Sequence, residues 1–94
     1  SKVISNYFDS NSEIIINEKV SKGNKFQLTK ALDNFFRENN LREFKIIHKG
    51  DSQNNIIYIL GEYSSNTDIY KVLITLTKFE KELTIKKIKI DKKL

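Results

Sequence analysis

Polarity alternates with a period of two through most of the second half of the chain, and this alternation restricts the fold more than any other feature. Tyr70, Val72, Ile74 and Leu76 alternate with Lys71, Leu73, Thr75 and Thr77. Successive side chains of a strand point to opposite sides, so the pattern predicts a strand with one buried face. Phe44, Ile46 and His48 alternate with Lys45, Ile47 and Lys49 in the same way. Ile56 to Tyr63 is apolar on both sides, as in a central strand covered on both faces. A fourth run slips phase: Leu83 and Ile85 share one parity, Ile88 and Ile90 the other. One extra residue near Lys86-Lys87 restores the facing, which predicts a β-bulge and a bend there. Two short segments facing different layers are the alternative. These runs predict a four-stranded antiparallel meander between Glu43 and Asp91, with the upstream residues covering one face.

The connections are polar. Gly50 to Asn55 forms a loop, and Ser64 to Thr67 a tight hairpin. Phe79 to Glu82 contains no Gly, which predicts a type I turn or a longer bulged one. Asp91 to Leu94 is expected to fray.

Upstream, Val3, Ile4, Tyr7 and Phe8 form one helical stripe. Ser1 to Asp9 therefore reads as the tail of a helix. With no cap at its start, its beginning is expected before Ser1. Asp9 to Ser12 is a stop and a turn. Glu13 to Glu18 carries three consecutive Ile residues and suits a strand. Val20 either adds a short second strand or ends the loop. Ser21 to Asn39 is the clearest helix, capped by Ser21 or by Asn24 with Gln27 three residues on. Leu28, Ala31, Leu32, Phe35 and Phe36 make its apolar stripe, and Phe35 and Phe36 are expected to anchor it to the sheet. Asn39-Asn40 ends it, since Asn tolerates the left-handed conformation.

Ninety-four residues bound the chain to a single domain, residues 1–94. A chain of this size holds one core, not two. No apolar run approaches the roughly 18 residues of a membrane span. With no initiator Met and no signal-peptide core, the expectation is that the chain begins inside a longer precursor. Without Cys there is no disulfide, thiol nucleophile or zinc-thiolate site, and nothing points to a cofactor or a metal. The net charge is +5, but Arg37 and Arg42 are the only arginines. Bidentate recognition of guanine or phosphate favours Arg, so no nucleic-acid partner is expected.

The order helix tail, strand, helix and four strands comes with specific stretches. These are Tyr7-Phe8 before Glu13-Ile14-Ile15-Ile16, a helix ending in Asn34-Phe35-Phe36, and Glu43-Phe44-Lys45-Ile46-Ile47-His48-Lys49-Gly50. Ile59-Leu60-Gly61, Tyr70-Lys71-Val72 and the phase-slipped run from Leu83 to Ile90 follow. Together they resemble a family of uncharacterised domains from Bacteroidetes with a cystatin-like, nuclear-transport-factor-2-like α+β fold. The turn at Phe79 to Glu82 departs from the family, where a Gly is usual. The resemblance implies a curved antiparallel sheet wrapped on helices around a cone-shaped interior, in the order α-β-α-β-β-β-β. It also implies an exported, periplasmic or envelope setting, and it supplies no catalytic residues.

By parity, Phe44, Ile46, His48, Ile57, Ile59, Gly61, Tyr63, Tyr70, Val72, Ile74 and Leu76 face the cone. Gly61 predicts a bend or a close helix approach. The pocket candidates are His48, Tyr63, Tyr70 and Phe36. His48 reads either as a rim residue making one hydrogen bond or as the general base of a small dehydratase or isomerase. Tyr63 and Tyr70 read either as core aromatics with surface hydroxyls or as hydrogen-bond partners of a small ligand. On the outer face, Ile47, Ile56, Tyr58, Leu60 and Leu73 are interface candidates, for a homodimer or a docked partner, unless an upstream segment covers them. Lys81, Lys86, Lys87, Lys89, Lys92 and Lys93 form a basic stripe that either meets an anionic surface or protects an edge strand. The functional expectation is a non-catalytic binding or interaction module of the cell envelope, with the small enzyme as the alternative.

Overall fold

Alternation sorts the strands, and the register between them decides which residues share a face. The computed structural model describes residues 4–51 and 54–93. A 3₁₀ turn, Ile4–Tyr7, is followed by β1 (Phe8–Ile16), β2 (Lys19–Lys22), α1 (Lys25–Glu38), β3 (Leu41–Asp51), β4 (Ile56–Ser65), β5 (Ile69–Phe79) and β6 (Glu82–Lys92). The strands form one six-stranded sheet in the order β2-β1-β6-β5-β4-β3. β3 to β6 are the antiparallel meander, and β1 runs parallel to β6.

The predicted bulge is present. Thr75 pairs with Lys87 and Leu76 with Ile85, leaving Lys86 as the extra residue. Ile85, Ile88 and Ile90 are therefore all buried despite their opposite parity. β1 answers with an irregularity of its own, pairing Phe8 with Ile85 and then Glu13 with Lys87. The turn chemistry of Asp9 to Ser12 is expressed inside this strand and does not stop it. The Asp9 N–H donates to Ser12 Oγ, the Asn11 N–H to Asp9 Oδ1, and the buried Ser12 hydroxyl to the Ile85 carbonyl at 2.6 Å. Lys86 Nζ reaches Asp9 Oδ2, so the two irregular segments are tied by an ion pair. The hydrogen bond from Lys86 holds the Asp9 carboxyl below its ordinary range, against a smaller opposing effect of burial.

Other expectations need correction. The N-terminal stripe forms only one 3₁₀ turn, Phe8 already belongs to β1, and Val3 lies outside the described residues. Asn24, not Ser21, caps α1. It forms a full capping box with Gln27, while Ser21 pairs with Ile14 in the β1–β2 hairpin. Asn39 ends the helix with φ −130°, not in the left-handed region. Its backbone N–H and its side-chain amide both donate to the Phe35 carbonyl. The β5–β6 link has two residues, Glu80 and Lys81, between the paired Phe79 and Glu82. Glu80 takes φ 57°, so the turn is of the primed kind that matches strand twist, not type I. The Asn17-Glu18 turn also has positive φ at both residues. Asp91 and Lys92 continue β6, and the Lys93 N–H donates to the Ile69 carbonyl at 2.8 Å, so this end is held; Leu94 lies outside the described residues.

Leu28, Leu32 and Phe35 lie on one stripe of α1 and are buried with Phe8, Ile14, Val72 and the three β6 isoleucines. The helix packs over the β1–β2 end of the sheet and the 3₁₀ turn. The inner side of β3 is left open, with Phe44 41% and Ile46 62% exposed.

Candidate functional site

Cross-strand rows define the inner surface. One row is Ile46, Gly61, Val72 and Ile90; the next contains Ile59, Ile74 and Ile88. Above them the helix and the 3₁₀ turn close only part of the space. A cavity of about 550 Å³ remains, lined by Ile4, by Leu32 and Phe36 of α1, by Phe44 and Tyr63, by Val72 and Ile74, and by Ile88 and Ile90. Pockets that hold small molecules fall in this size range.

The aromatic wall of the cavity is held by polar groups outside it. Phe35 packs on Tyr70 and Tyr63 with ring centroids 5.0 and 5.6 Å apart, and Phe36 stacks on Tyr63 at 5.6 Å. The Tyr63 hydroxyl donates to the Asn39 carbonyl, and the Tyr70 hydroxyl to Asn39 Oδ1 at 2.8 Å. The residue that ends the helix thus fastens it to β4 and β5. Burial, with the neighbouring Tyr70, pushes the Tyr63 phenol up from its ordinary value. Both hydroxyls are engaged with protein, so neither is free to bind a ligand without giving up a bond. Of the pocket candidates, Phe36 and Tyr63 line the cavity and Tyr70 supports it from behind.

His48 is not in the cone. Ile46 pairs with Gly61, but His48 pairs with Leu60, so Ile47 is an extra residue and β3 is bulged there, as it is at Arg42 near its start. Directly opposed residues of an antiparallel pair share a side. His48 therefore stands with Leu60 on the outer face, and Lys49, paired with Ile59, turns inward. The polarity pattern hid this bulge because apolar residues occupy both parities around it. Gly61 also needs correction. A Cβ there would lie 2.6 Å from the Phe44 ring and 3.0 Å from the Lys45 carbonyl, so the close approach comes from β3 and not from the helix.

With His48 outside, the described lining offers one titratable side chain, the tethered Tyr63. Acid-base chemistry in the cone requires a proton acceptor or donor near neutrality, and the lining supplies none. No group of three or more His, Cys, Asp or Glu is placed to hold a metal ion among the described residues.

On the outer face Leu60 pairs with Leu73, Tyr58 with Thr75 and Ile56 with Thr77. These interface candidates share the face. Tyr58 is exposed and the others are half-buried. Ile47 is exposed but lies at the bulge, without a cross-strand partner. Lys89 and Lys87 continue the same rows and interrupt the apolar patch. The lysine stripe is not on an edge, since β6 lies between β1 and β5. Lys81 lies in the β5–β6 turn, and the other five of its six members face carboxylates: Lys86 meets Asp9, Lys87 meets Glu13 at 3.6 Å, Lys89 meets Asp91 at 3.9 Å, Lys92 meets Asp68 at 3.2 Å and Lys93 meets Glu62 at 2.9 Å. Among the described residues no helix is long and apolar enough to cross a membrane.

Comparison with known proteins agrees with this architecture. The family described as "Domain of unknown function (DUF4783)" matches residues 1–91. A DUF4783 family protein from Bacteroides ovatus is similar in structure, with TM-score 0.88 and 22% identity over 99% of this chain and 84% of that one. A second, from Bacteroides uniformis, has TM-score 0.88 and 19% identity over 99% and 85%. An NTF-2 like protein of unknown function from Silicibacter pomeroyi has TM-score 0.70 and 8% identity over 98% and 78%. The fold is thus the α+β, nuclear-transport-factor-2-like one, with one α-helix and a curved six-stranded sheet among the described residues. No curated protein matches the chain.

Proposed function

This chain belongs to the DUF4783 family, and from that premise we propose that it is a non-catalytic binding module that takes an apolar ligand in the cone. The observation that carries the reading is the cavity of about 550 Å³ between Phe36, Phe44 and the inner isoleucines, whose one hydroxyl is already bonded to the backbone. Such a surface offers a ligand burial and shape, not chemistry. Each methylene moved into it from water contributes about 0.8 kcal/mol. The dehydratase or isomerase alternative loses its base with His48 on the far face. An exported, envelope setting is part of this reading and rests on the family resemblance alone. Cell fractionation of the host tests it, with the protein expected outside the cytoplasm.

A titration with decanol followed by methyl NMR tests the binding reading. Shifts are expected at Val72, Ile74 and Ile88, and Ile74→Trp, which fills the cavity, is expected to abolish them. No shift up to the solubility limit of decanol, or shifts confined to the outer-face methyls of Leu60 and Leu73, overturns the reading.

A second reading, pairing of two copies through the outer face, is supported by the directly opposed Leu60 and Leu73 beside exposed Tyr58. Sedimentation at micromolar concentration is expected to show a dimer that Leu73→Lys separates. A wild-type monomer removes it.

A further inference from the structure

We propose that Lys49 is an anion-binding residue at the rim of the apolar cavity, so that the ligand is a single-chain amphiphile with an anionic head. The proposal rests on the cavity being a binding site and names the class of ligand it takes. Its structural basis is the bulge at Ile47. Bulges re-aim side chains, and this one exchanges two residues of opposite character. Without it His48 would face the cone and Lys49 would face out. With it Lys49 pairs with Ile59 on the inner side, in the row continued by Ile74 and Ile88, both of which line the cavity.

A lysine suits this position. Its alkyl stem can lie along apolar surface while the ammonium stays at the wet end. Lys49 is exposed, on the edge strand that the helix does not roof. Among the described residues it has no ion pair or hydrogen-bond partner for its side chain, in contrast to Lys45, which faces out and lies 3.5 Å from Glu43. The other inward lysines are less suited. Lys92 is paired with Asp68, Lys78 lies beyond Leu76 near the β5–β6 turn, and Lys19, opposite Ile16, lies on β2 at the other edge of the sheet, beyond β1 from the cavity. The nearest inward carboxylate on β3 is Asp51, one row farther along beside Ile57, and it forms no ion pair with Lys49. An alkyl chain against Ile74 and Ile88 with its head at the β3 edge thus meets an uncompensated positive charge. The head is a carboxylate or a phosphate, since both satisfy an ammonium.

The test compares decanoate, decyl phosphate and decanol by calorimetry at low salt and neutral pH, on wild type, Lys49→Gln and Lys45→Gln. At least one anion is expected to bind wild type about fivefold to tenfold more tightly than decanol. That preference is expected to vanish in Lys49→Gln, to persist in Lys45→Gln and to shrink as salt rises. The anion that shows it identifies the head. Equal binding of all three compounds, or a preference that survives Lys49→Gln, overturns the proposal and leaves the apolar site standing. Failure of every compound to bind overturns both.

Discussion

Two of the bulges in this sheet are the same device in two settings. The one at Lys86 lies in a strand flanked on both sides, with buried isoleucines before and after it. The one at Ile47 lies in the edge strand, among residues that are all exposed. In the first, the extra residue keeps three isoleucines in one core and is itself neutralised by Asp9. In the second, it costs the core little and decides which polar side chain stands on the inner side of the sheet. A bulge in the middle of a sheet therefore serves packing here, while one at the edge is free to serve a site.

Deleting each extra residue should separate these roles most sharply. Removal of Lys86 turns Ile88 and Ile90 toward solvent and is expected to cost more than about 4 kcal/mol, leaving no cooperative urea transition. Removal of Ile47 is expected to cost about 1 kcal/mol or less, because the strand buries little. It should also turn Lys49 outward. Comparable losses from the two deletions would break the comparison. A smaller effect tests the contact between the open half and the rest. Gly61→Ala places a methyl group against the Phe44 ring and the Lys45 carbonyl. It is expected to destabilise by about 1–3 kcal/mol. In a Phe44→Ala background most of that loss should disappear, since only the carbonyl contact remains.

The smallest expected effect concerns the ion pair that closes the Lys86 bulge. The Asp9 carboxyl is held below its unfolded value of about 3.9. Its stabilising effect is therefore complete above about pH 5 and is lost as pH falls through the depressed folded value. Asp9 is more than a third exposed, so solvent screening keeps the effect under about 1 kcal/mol. Thermal melts of Asp9→Asn should show a flatter acid limb than wild type between about pH 5 and 2. An unchanged limb would mean that the geometry of the bulge, not its charge, holds the two strands.

How much of this was legible in the residues follows from where polarity contrasts. The meander, its facing from Ile56 to Leu76, the central helix and the slip near Lys86-Lys87 were readable, because each sets isoleucine, leucine or phenylalanine against lysine or threonine. The β3 bulge was not, since Phe44, Ile46 and Ile47 present apolar groups on both parities, and His48 was placed in the cone as a result. The strand character of Asp9 to Ser12 was hidden by turn-forming residues that bend a strand here. Phe36 and Tyr63, named from the residues as pocket candidates, line the cavity. The inward facing of Lys49 is not legible in the same way, because it depends on the bulge before it.

The linear order of residues determined what could be settled locally: the four strands of the meander, the helix between Asn24 and Asn39, and the faces of strands that divide water from core. Tertiary structure alone decided that β1 lies parallel to β6, that Asn39 fastens the helix to two tyrosines, and that the inner side of β3 stays open over a cavity. Those outcomes depend on partners 24 to 77 positions away. A pairing at such distance leaves no trace in local alternation, and an edge strand exposed on both sides has no contrast to record.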